Sequence, residues 1–74
     1  MAKKGEWEMR VSNLIKSELK LRGISYAKLA QMLAEIGVDE QEQAIASKLS
    51  RGRFSAVFLA QCLAVIGSDR LRLD

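Results

Sequence analysis

Lys48, Arg51 and Arg53 fall within six residues with no acid between them, and Gln41, Gln43, Ala44 and Ser47 lie just ahead of them. All belong to the stretch 38–54, VDEQEQAIASKLSRGRF. A glutamine amide can hold adenine through two hydrogen bonds, a serine hydroxyl suits either base type, and an arginine fork takes guanine or a phosphate. Ile45 and Leu49 are four apart and so share one face of a helix. Gln43, Ser47, Ser50 and Arg51 fall opposite them, with Ala44 and Lys48 on one shoulder. Gly52 suits the position just past a helix end. The spacing predicts a helix at about 40–51 that hides its aliphatic pair and shows a polar, cationic side. That is what a major-groove reader needs. Asp39, Glu40 and Glu42 crowd the start of this helix. There they suit the positive end of its dipole, but they would face phosphate badly. An ordinary surface helix with solvated charges has the same pattern when taken alone.

Other chemistry is poorly supplied. There is no histidine, so neither a Ser-His nor a Cys-His nucleophile can be assembled. No carboxylate pair sits in an apolar run as an acid/base couple would. The single cysteine, Cys62, excludes an internal disulfide and CxxC metal clusters, and it suits a reducing cytoplasm. The expectation is therefore a binding protein without enzymatic activity, metal or cofactor. Residues 1–8 are polar with no apolar run behind them, so no secretory signal is expected. No apolar stretch approaches the roughly 20 residues needed to span a bilayer.

The elements that would position this helix can be read from glycines and apolar periods. Seventy-four residues make one domain, whose stability should be about 5 kcal/mol. There is no proline, and good helix formers dominate. Residues 1–5, MAKKG, read as a loose basic start. In the first helix, 6–22, Trp7, Val11, Leu14, Ile15 and Leu19 form the expected core stripe. The second, 25–36, is capped by Ser25 and buries Tyr26, Leu29, Ala30, Leu33 and Ile36. The fourth, 56–66, is capped by Ser55 and buries Phe58, Leu59, Cys62, Leu63 and Ile66. Cys62 lies inside that stripe and reads as a small buried hydrophobe. Gly23, Gly37, Gly52 and Gly67 close the four helices. The tail 68–74 alternates Leu71 and Leu73 with Arg70 and Arg72 and has three readings: packing on the core, pairing with a second subunit, or fraying. The net charge of +3 permits nucleic-acid binding without requiring it.

The segments GISYAKLAQMLAEIGV, AIASKLSRGRFS and FLAQCLAVIG, in that order, resemble the helix-turn-helix domain of Cro and phage-repressor-like transcription regulators. The likeness rests on Leu29-Ala30, Gly37-Val38, the Leu49-to-Gly52 spacing and Ile66-Gly67. The chain is also similar to small uncharacterised bacterial proteins with an SRG-[KR]-F-S connector, here 50–55. It departs from the repressor pattern in placing Gly37 seven residues after Ala30, so the second helix is nearly a turn longer. The resemblance implies an all-α, compact domain of four helices, with room for a fifth, at 9–67, between a flexible basic arm at 1–8 and a tail at 68–74. It implies a homodimeric transcriptional regulator on double-stranded DNA, with a protein-interaction module on the same scaffold as the alternative. Gln41, Gln43, Ala44, Ser47 and Lys48 would then face bases, and Ser25, Lys28, Arg51 and Arg53 would grip phosphates.

Overall fold

The computed structural model describes residues 5–68, and the readings made for residues 1–4 and 69–74 lie outside it. The described residues form four helices: α1 (Glu6–Arg22), α2 (Tyr26–Glu35), α3 (Glu42–Arg51) and α4 (Ala56–Ile66). The all-α expectation holds. α1 and α4 have the expected bounds, α2 is one residue shorter at each end, and α3 starts at Glu42 but ends at Arg51 as expected. Residues 6–8, drawn as part of an arm, are the first turn of α1.

Each of α1 and α2 packs against both α3 and α4, whereas neither α1 with α2 nor α3 with α4 packs along its length. The chain bends by 117° between α3 and α4, which brings both onto the other pair. The core lies where the four meet. Ile15 and Leu19, Leu29 and Leu33, Ile45 and Leu49, and Phe58, Cys62 and Ile66 are buried there, all four helices contributing. Phe54, in the α3–α4 connector, meets Phe58 edge-on at 5.3 Å between ring centres. No single helix is long and apolar enough to cross a membrane among the described residues.

The helix ends follow local chemistry. The Ser25 and Ser55 hydroxyls accept the backbone N–H groups of Lys28 and Phe58, so each satisfies a donor that an open first turn would leave unpaired. At the end of α2, the Val38 N–H reaches back to the Leu33 carbonyl at 2.9 Å, with Gly37 at φ +82° between them. This turn settles the fate of Ile36. Expected in the buried stripe, it is 52% exposed, because α2 stops at Glu35 and Val38 swings back to pack on the core instead.

Two other expectations are corrected on α1. Trp7 is 53% exposed and carries the Arg10 guanidinium over its ring at 4.8 Å. The buried line runs through Ser12, Ile15 and Leu19. Ser12, which is not in the expected stripe, donates its hydroxyl hydrogen to the Leu49 carbonyl in the last turn of α3. The stripe is rotated because α1 must press its backbone against the end of α3, and a carbonyl there needs a donor.

Candidate nucleic-acid interface

At 100° per residue, the solvent side of α3 is set by its buried pair, Ile45 and Leu49. Gln43, Ser47, Ser50 and Arg51 are exposed on the opposite side. Ala44 is half-buried at the edge of this strip, and Gln41, the residue preceding the helix, is exposed without capping it. The exposed strip thus offers an amide, two hydroxyls and, in the last turn, a guanidinium. Glu42 lies to one side of it, in the first turn.

Lys48 is directed elsewhere. It lies about 140° round the helix from Gln43, and its ammonium bonds the Glu40 carboxylate at 2.5 Å while sitting 4.6 Å above the Phe58 ring. That places Lys48 on the α4 side, half-buried, rather than on the open face expected of it. The same pairing takes Glu40 out of the acidic group at the start of α3 and leaves Asp39 and Glu42 exposed there. Cys62 lies close enough to feel both charges. Its thiol is pushed up from 9.0 to about 11, first by burial and then by the Glu40 charge, with Lys48 acting in the opposite sense. It is a protonated part of the core.

The four expected phosphate grips do not form one cluster. Arg51 and Arg53 line a cleft of about 340 Å³ between the end of α3 and the first half of α1, together with Glu8, Asn13, Lys16 and Ser50. Arg53 lies 3.6 Å from the Glu8 carboxylate but is 71% exposed at its side chain, so that pair is open to water and weak. Ser25 lines a second cleft of about 300 Å³, with Lys16, Lys20 and Tyr26, where α1 turns into α2. Lys28 lines neither. It borders a groove on the α2–α4 side with Met32, Ile36 and Val65.

Lys16 is the residue that the two basic clefts share, and it was not among the expected site residues. Its signal in the sequence was faint: Asn13, Lys16 and Lys20 recur at helical spacing beside Ser12. The inward turn of Ser12 decides which way they face. Among the described residues, Lys16, Lys20, Lys28 and Arg51 have no carboxylate within salt-bridge distance, while Arg10, Arg22, Lys48 and Arg53 each have one. No group of histidine, cysteine and carboxylates that could hold a metal occurs among the described residues.

No curated protein and no solved structure matches the chain. A family model described as a domain of unknown function, DUF6471, matches residues 7–71, from the first turn of α1 to beyond α4, and the chain belongs to that family.

Proposed function

We propose that this protein binds duplex DNA as a homodimeric regulator of transcription, and that it docks through the exposed strip of α3, with the C-terminal half nearest the backbone. The observation that carries this reading is the exposed strip Gln43, Ser47, Ser50 and Arg51, which combines base-reading side chains with a cation and contains no carboxylate. A helix-turn-helix reader usually follows its partner helix after a turn of 3–4 residues and leads with its N-terminal end. Here six residues, 36–41, separate α2 from α3, and Asp39 and Glu42 are exposed where α3 begins. Phosphate repels that end. The other end presents Ser47, Ser50 and Arg51 beside the basic cleft, so docking is favourable there. One helix of ten residues reads few base pairs, and pairing across a two-fold axis doubles the site.

A protein-interaction module is the second reading. It is favoured by the groove between α2 and α4, where Met32, the exposed Ile36 and Val65 leave apolar surface open.

Fluorescence anisotropy with a labelled duplex across a salt series separates the two. For a DNA binder, log K falls linearly with log salt by about 0.9 per phosphate contact. Arg51→Glu should weaken binding by about tenfold or more while the far-UV circular dichroism stays helical. Affinity that is flat across salt, or untouched by Arg51→Glu, would sink the DNA reading and leave the interaction module.

A further inference from the structure

We infer that Lys16 and Lys20 of α1, with Arg51 and Arg53 beyond α3's core contacts, form a continuous phosphate track that carries one strand of the duplex past the C-terminal end of α3. The inference rests on the DNA-binding reading and deepens it, because it assigns the backbone path to α1, a helix to which no such role has been given.

Three observations support it. First, Lys16 lines both clefts, so it neighbours Arg51 and Arg53 on one side and Lys20 on the other. Second, the charge on this line is large for so small a chain. The linings hold four cations, Lys16, Lys20, Arg51 and Arg53, against the single carboxylate of Glu8, which matches in net charge the +3 of the whole molecule. Third, three of these cations are in no ion pair that holds the fold. Lys16, Lys20 and Arg51 are exposed and have no ion pair among the described residues, although α1 also carries Glu6 and Glu18. Those two acids face Arg10 and Arg22 instead. Lys20 and Arg51 lie in the last turns of α1 and α3, where the carbonyl end of each helix accounts for a cation. Lys16, in mid-helix, has no such reason.

The dimensions suit a nucleic-acid backbone. From Glu8 to Lys20 the helix rises about 18 Å, a length over which one strand of B-DNA carries about five phosphates. Ser50 and Arg51 belong both to the exposed strip of α3 and to the first cleft, so base-facing and backbone-facing groups adjoin without an intervening acid other than Glu8. Ser25 and Tyr26 close the far end of the line, where the hydroxyl-capped start of α2 offers its positive dipole end.

The test compares salt series for the wild type, Lys16→Gln/Lys20→Gln, and a control of equal charge loss, Arg10→Gln/Arg22→Gln, whose cations are already paired on α1. Loss of two phosphate contacts should flatten the slope of log K against log salt by about 1.8 and lower affinity on the order of tenfold or more near 0.1 M salt, equally for all duplex sequences. The control should change the slope by less than half as much. If the wild type binds steeply and the lysine variant keeps its slope, the track is wrong and the DNA reading stands. Equal effects in both variants would also overturn it, since net charge alone would then suffice. If the wild type binds no duplex at low salt, both fall together.

Discussion

A Cβ built on Gly52 would overlap the backbone carbonyl of Glu8 and come within 2.6 Å of its Cβ, while φ at Gly52 is +68°. Gly23 has nearly the same φ, +67°, but nothing within 4 Å of such an atom. The pair separates two effects that a glycine usually combines. Gly23→Ala should cost only the left-handed backbone term, about 1 kcal/mol. Gly52→Ala should cost about 2–4 kcal/mol, because α1 must also be displaced from the end of α3. Urea unfolding at neutral pH measures both. Equal losses would mean that α1 shifts freely, and the cleft that Arg51 and Lys16 share would then have no fixed width. Ser12 fastens the same junction one turn further along, through the Leu49 carbonyl.

At the scale of elements, helix ends were legible and helix faces only partly so. Glycine stops and serine caps act within a few residues, so α1 and α4 could be bounded from sequence, and Ser25 and Ser55 cap as their positions imply. A face is decided by what lies across from it. Trp7 fits the apolar period of α1 yet lies outward, Ser12 breaks the period yet lies inward, and Ile36 loses its place to Val38 once α2 turns. The candidate site was hard to read for the same reason. Its strip on α3 follows from one helix, but the clefts need α1, α2 and α3 together, and no periodicity reports that Lys16 stands between Arg51 and Ser25. Cys62 was legible because it lies mid-stripe on α4 and is fully buried. Its raised pKa gives α4 a pH signature. Folding favours the protonated thiol, so its contribution to stability is complete below about 9 and is lost as pH rises from 9.0 towards about 11. The quantity to follow is the stability difference between wild type and Cys62→Ala, which isolates the thiol. That difference should be constant between about pH 6 and 8 and shrink towards pH 10. A constant difference throughout would show the thiolate to be tolerated in the folded state.

Over the whole molecule, the cations divide into those that hold the fold and those that do not. Lys48 is of the first kind: its ammonium bonds Glu40, whose side chain is mostly covered, and caps the Phe58 ring in the core. Replacing it by glutamine leaves the Glu40 carboxylate without its partner, and the expected loss is about 1–2 kcal/mol after allowing for partial solvent screening. Lys16 is of the second kind, with no ion pair among the described residues and with Arg51 and Arg53 lining the same cleft. Like charges gathered on one side repel, and a folded chain gains nothing by keeping them there. Lys16→Gln should therefore leave stability within about 0.5 kcal/mol of the wild type, and any change should be an increase that fades as salt screens the cluster. Urea unfolding of both variants at low and moderate salt makes the comparison. If Lys16→Gln instead destabilised the protein as much as Lys48→Gln, the basic line along α1 would be part of the scaffold, and its claim on a phosphate backbone would lapse.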